Sequence, residues 1–197
     1  MKEHRVAVWR GLDAWRAEYA DVWLYADRLL ARGTQLGVEP ETYRLQYALD
    51  TAPGFETARL TADAAGTGWS RRVDLIRDPD GTWHVSGDAS GEAELPAPGG
   101  DAAALAGAVD CDLGFSALFN SLPVLRERLL ERREPRDFEM AWISVPDLAV
   151  NRAPQRYVPL SEERVQFISS GGAFRAEIHF DDECLVTLYE DFLERVA

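Results

Sequence analysis

An all-β, mainly antiparallel chain is what this sequence predicts, and three observations carry the prediction. Apolar and polar residues alternate with period two in several segments, most plainly Tyr43–Asp50 and Phe174–Phe180. Strong turn signatures separate such segments: Asp78-Pro79-Asp80-Gly81 and Ser169-Ser170-Gly171-Gly172. Few stretches carry a helical period. Together they give roughly a dozen short strands in a roll or barrel-like sheet, with one or two short helices. A length of 197 residues fits one domain, 1–197.

Taken in order, Arg5–Trp9 alternates weakly, Gly11–Glu18 reads as a helical turn, and Tyr19–Tyr25 has the aromatic and β-branched content of a strand. In Tyr43–Asp50, residues Tyr43, Leu45, Tyr47 and Leu49 share one face, as in a half-buried strand. Pro53-Gly54 marks a turn, Glu56–Asp63 alternates, and Trp69–Arg77 pairs through the Asp78–Gly81 turn with Thr82–Ser86. Gly87–Gly107 is rich in Gly, Pro and small residues; it reads as a flexible excursion with a short helix at Asp101–Leu105.

The stretch Asp110–Arg126 marks the crossing between the halves, with Pro123 expected to stop any helix there. Phe138–Val145, apolar on both faces, is expected in mid-sheet. Arg164–Ile168 and Phe174–Phe180 form a hairpin, followed by a strand at Cys184–Tyr189 and a strand or helical turn at Glu190–Val196.

The net charge of −13 argues against nucleic acid and anionic membrane surfaces. No apolar run approaches the ~20 residues of a membrane span. The polar start Met1–Arg5 and the short run Val6–Trp9 lack the pattern of a signal peptide, so a cytoplasmic protein is expected, with Cys111 and Cys184 as reduced thiols. Twenty Arg against one Lys suggest a GC-rich bacterial coding sequence.

No motif declares catalysis. Asp110 and Asp112 fall on one strand face, without His or Glu at ligand spacing, so no metal or cofactor is expected; capping a turn or meeting Arg126 is the simpler role. Ser116, a histidine (His84 or His179) and Asp112 supply the side chains of a hydrolase triad, but Gly114-Phe115-Ser116-Ala117-Leu118 lacks the second Gly of a nucleophile elbow. Six Trp, six Tyr and eight Phe fill a core or wall a cavity for an amphipathic ligand.

Several motifs stand in a fixed order: Asp110-x-Asp112-Leu113-Gly114-Phe115-Ser116, Asn120-Ser121-Leu122-Pro123, Ala141-Trp142-Ile143-x-x-Pro146-Asp147-Leu148, Gln155-Arg156-Tyr157, and Phe180-Asp181-x-Glu183-x-Leu185-Val186-x-x-Tyr189. In this the chain resembles the bacterial putative glycolipid-binding family, once a domain of unknown function. It departs from the family pattern at Ala117-Leu118-Phe119, which is more apolar, and at Arg126, which stands where a pair of Arg is usual. The resemblance implies a spiral β-roll and non-enzymatic binding of a lipid or glycolipid in an apolar cavity. On it, Trp142, Tyr157, Asp112, Asn120, Arg126 and Trp69 are the candidate ligand-binding residues, with no catalytic residue. The alternatives are a small enzyme on a lipid-like substrate, using Asp112 and a histidine as acid and base, and a scaffold that offers a strand edge to a protein partner.

Overall fold

In a computed structural model, which describes residues 3–197, fourteen strands form one sheet. The first half is a meander of seven: β1 (Glu3–Gly11), β2 (Arg16–Leu24), β3 (Leu29–Gly37), β4 (Tyr43–Thr51), β5 (Thr57–Gly66), β6 (Trp69–Arg77) and β7 (Trp83–Gly91). The second half holds β8 (Asp110–Leu113), β9 (Arg136–Ile143), β10 (Val150–Pro159), β11 (Arg164–Ser169), β12 (Phe174–Phe180), β13 (Val186–Tyr189) and β14 (Leu193–Arg195). Strand order runs β7 to β1, then β14 to β8, so β1 and β14 are the seam between the halves. All pairs are antiparallel except β8 with β9.

The sheet does not close into a barrel; its course is consistent with a spiral roll. The β8 edge comes back against β5 without joining its ladder. Cys111 N–H on β8 donates to Thr57 Oγ1 on β5 (3.0 Å), and the Trp83 indole at the start of β7 donates to the Ala108 carbonyl (3.0 Å). Inside lies the stretch after β8. A short 3-10 turn, Leu118–Asn120, leads into α1 (Ser121–Glu127) and α2 (Leu129–Arg132). Leu118, Phe119, Leu122 and Val124 are fully buried, and Phe119 meets the Tyr47 ring edge-on at 5.4 Å. Pro123 does not stop a helix here: it is the third residue of α1, in the first turn, where an N–H has no helical partner to lose.

Strand parity explains the core. Trp9, Ala20, Val22, Leu45, Leu49, Leu60 and Leu75 point inward. Outward positions carry cross-strand ion pairs such as Arg59–Asp74, Arg72–Asp63, Arg152–Glu139 and Arg156–Asp137. Much of the arginine is therefore a solvated face, each pair worth under ~1 kcal/mol.

Three inward aromatic rings lie over a glycine on the neighbouring strand: Tyr47 over Gly33, Tyr43 over Gly37 and Trp69 over Gly66. A Cβ at Gly33 would sit 2.2 Å from the Tyr47 ring. Gly33→Ala is expected to cost about 1–3 kcal/mol, because the ring must leave its place against the core. A urea midpoint equal to that of the parent would refute the close approach.

Several expectations change. Gly11–Glu18 is not a helical turn: residues 12–15 bend, and Arg16–Glu18 already pair with Gln35–Gly37. Of the stretch 87–107, Gly87–Gly91 continue β7 along β6. Residues 92–109 then cross between the two edges of the sheet. This crossing carries a 3-10 turn, Ala102–Leu105, whose Asp101 carboxylate accepts from Ala103 N–H (2.9 Å), and it buries Leu105 and Ala108. β9 lies second from the edge rather than in mid-sheet; the 3-10 turn packs on it and leaves Ala141 and Ile143 fully buried. The final segment is strand β14. Cys111 and Cys184 are separate thiols, and burial pushes both up in pKa.

Candidate functional site

A cavity of about 280 Å³ opens between the buried stretch after β8 and the inner face of the second half-sheet. Its walls are aromatic. Trp142 comes from β9, Phe167 from β11, Phe174 from β12 and Tyr189 from β13; Phe192 follows β13, and Phe115 follows β8. The rings brace one another, with centroids 5.8 Å apart for Phe167–Tyr189, 5.1 Å for Tyr189–Phe192 and 6.0 Å for Phe167–Phe174.

The polar side chains of the lining are Asp112, Ser116, Asn120, Ser144, Gln155 and Ser169. Gln155 Nε2 donates to Asp112 Oδ2 at 2.6 Å. Burial raises the Asp112 carboxyl to about 6 against that hydrogen bond. The Tyr157 hydroxyl lies 2.9 Å from Asn120 Oδ1 and 3.3 Å from Gln155 Oε1; its one proton serves the nearer oxygen. Asn120 Nδ2 has a single long contact, 3.4 Å to the Ser116 carbonyl, and so retains donor capacity toward the cavity. Among the described residues no Lys, Arg or His lines this space, and Asp112 is its one ionisable carboxyl.

Behind the lining turn at Ser116 lies a residue that the sequence reading missed. Glu18 is 1% exposed and accepts from Tyr47 Oη (2.8 Å), Ala117 N–H (3.0 Å) and the Ser116 hydroxyl. Burial pushes its carboxyl up to about 7, against these hydrogen bonds. Gln35 Nε2 donates to the Gly114 carbonyl at 3.3 Å. Glu18 and Gln35 thus tie the cavity-lining turn 114–117 to the first half-sheet. A signal existed: Glu18 shares the parity of Ala20 and Val22 once that segment is read as strand.

The candidate residues divide. Trp142, Asp112 and Asn120 line the cavity. Tyr157 is fully buried one hydrogen bond behind it, edge-on to Phe138 (5.5 Å) and Phe167 (5.3 Å). Trp142 and Tyr157 stand on paired strands but far apart in register, opposite Asn151 and Arg136 respectively. Arg126 lies outside the lining: it clasps Asp110 (Nη2–Oδ2 2.9 Å) and sits over the Phe138 ring at 5.3 Å. Trp69 packs on Gly66 in the other half-sheet, away from the cavity.

Ser116 gives its hydrogen bond to Glu18, and no histidine faces it. His84 pairs with Asp78 (2.7 Å) and His179 lies near Glu177 (3.8 Å), so the drawn triad is not assembled. A wider depression of about 640 Å³ shares Gln155 and Ser169 with the cavity, but its border carries Asp137, Glu139, Arg156 and Arg175, the composition of ordinary solvated surface.

Fold and site together define an open β-sheet protein with an aromatic-walled, acid-bearing cavity of ligand scale. The chain belongs to the family described as "Putative glycolipid-binding", whose pattern matches residues 6–195. The solved structure of a DUF1089 family protein from Pseudomonas aeruginosa has the same fold at 21% identity, with a TM-score of 0.71 over 91% of this chain and 92% of that one. No curated protein matches the chain.

Proposed function

We propose that the protein binds an amphipathic glycolipid, without chemistry upon it, by taking an uncharged sugar headgroup into the cavity. The observation that carries this reading is a lining that combines one carboxyl, Asp112, held by Gln155, and the Asn120 amide with several aromatic rings and no basic side chain. Sugar hydroxyls satisfy carboxylate and amide groups, while the apolar face of the ring packs on an aromatic side chain such as Trp142. A phosphate or sulfate head would face Asp112 with no cation in the lining to offset it. The family description supports the same ligand class. A volume of about 280 Å³ lies at the small end for organic ligands, which favours a headgroup over a whole lipid.

The test is calorimetric titration with octyl glucoside below its micellar concentration, with octyl sulfate as the anionic control. Asp112→Asn and Trp142→Ala are each expected to weaken octyl glucoside binding about tenfold or more, since a hydrogen bond to a charged group is worth ~1.5–3 kcal/mol. The parent should bind octyl sulfate more weakly than octyl glucoside. Equal affinity in parent and both variants would remove the cavity from the function.

A further inference from the structure

We infer that the rim formed by Leu12, Trp15 and Phe174 seats the protein on an uncharged lipid surface, from which the headgroup enters the cavity. This rests on the glycolipid reading above and adds the partner from which the ligand is drawn.

The first observation is exposure. Trp15 is 63% exposed, Leu12 45% and Phe174 40%, in a fold that buries most of its large apolar side chains. The second is position. Phe174 itself lines the cavity. The turn that holds Leu12 and Trp15 is fastened to the cavity wall. Leu12 N–H donates to the Phe192 carbonyl (2.9 Å), and the Arg16 guanidinium lies over the Phe115 and Phe192 rings at 4.4 and 4.9 Å. Both rings belong to the cavity lining. The rim is therefore continuous with the site.

The third observation is charge. Arg16 pairs with Asp13 at 2.7 Å, so the turn carries no net charge of its own. The chain as a whole is at −13. An anionic bilayer would repel such a body, whereas a zwitterionic or neutral glycolipid surface does not. The fourth is volume. A cavity of about 280 Å³ accepts a headgroup and leaves acyl chains outside its mouth, where they need apolar cover. Trp at the water–lipid boundary supplies that cover, with an apolar ring and a polar N–H. Seating the rim on the surface keeps the acyl chains out of water while the sugar moves inward.

The experiment is vesicle flotation. Phosphatidylcholine vesicles carrying monogalactosyl diacylglycerol are compared with vesicles that also contain phosphatidylglycerol, using the parent, the double variant Leu12→Ser/Trp15→Ser, and Trp15→Phe. Octyl glucoside titration of each protein reports the cavity separately. The parent should float with the neutral vesicles and less with the anionic ones. The double variant should lose at least about tenfold in partitioning while keeping its octyl glucoside affinity, because two exposed apolar side chains no longer leave water. Trp15→Phe should retain most of the partitioning.

The inference is overturned if the double variant floats like the parent, or if the parent binds octyl glucoside but no vesicle. It is equally overturned if sedimentation shows a parent dimer that the double variant loses with no change in flotation, which makes the rim a self-contact. A parent that binds neither octyl glucoside nor vesicles overturns the glycolipid reading itself.

Discussion

Arg126→Met is expected to destabilise the protein by about 3–5 kcal/mol, because it strands a carboxylate that water does not reach. Asp110 is 0% exposed, and Arg126 approaches it with Nε (3.2 and 3.3 Å) and Nη2 (2.9 Å). Burial pushes the Asp110 carboxyl up, and the Arg126 guanidinium offsets only part of that, so it stays raised. Without Arg126 the acid must take a proton or draw in water. The comparison is Arg136→Met, whose partners Glu134 and Glu127 are exposed or half-exposed; there the loss should stay under ~1 kcal/mol. Urea unfolding at neutral pH distinguishes the two. The same measurement on Asp110→Asn/Arg126→Met should recover part of the loss. Equal effects of the two single replacements would place the Asp110–Arg126 pair in solvent.

Stability is also expected to fall as pH rises from about 5.5 to 8, opposite to a protein held by carboxylate salt bridges. Glu18 carries the effect, since burial raises its carboxyl from 4.5 to about 7. A folded-state pKa above the unfolded one contributes stability that is complete below about 4.5 and is lost as pH climbs through 7. The loss is about 3 kcal/mol at full ionisation. Asp112, raised from 3.8 to about 6, acts in the same direction and is mostly spent by pH 6, and buried Asp110 is raised as well; the share of Glu18 between 6 and 8 is the part that its replacement removes. Glu18→Gln should flatten that upper limb. Denaturation midpoints at a series of pH values read it directly; a parent more stable at pH 8 than at 5.5 would show that Glu18 folds ionised.

Legibility in the sequence followed the local signal. β4, β6 and the β11–β12 hairpin stand out because alternation and turn chemistry agree there. β3 was invisible: its inward positions include Gly33, Gln35 and Gly37, and the apolar mass over the two glycines is supplied by Tyr47 and Tyr43 of the next strand. The parallel β8–β9 pair joins residues separated by two helices, which no local pattern encodes. Of the cavity, Asp112, Asn120 and Trp142 were reached through motif order, whereas Phe167, Phe174, Tyr189, Phe192 and Gln155 were not singled out for it. Those five come from separate strands or their flanks and meet only when the sheet rolls. Trp69, a candidate ligand-binding residue, lies instead in the first half-sheet with its ring spent on Gly66. Glu18 was lost with the strand that carries it.

The seam between β1 and β14 has a consequence for how the protein comes off the ribosome. Arg10 and Glu194, paired across it, are 184 residues apart in the chain. The seven-strand meander that emerges first is built from neighbouring hairpins, yet its β1 edge has no partner until the last strand is made. Until β14 is made, that edge is a row of open backbone donors and acceptors, a template for pairing with another nascent copy. Arg5 and Arg10, exposed on opposite faces of β1, are the charges that stand guard over it during that interval.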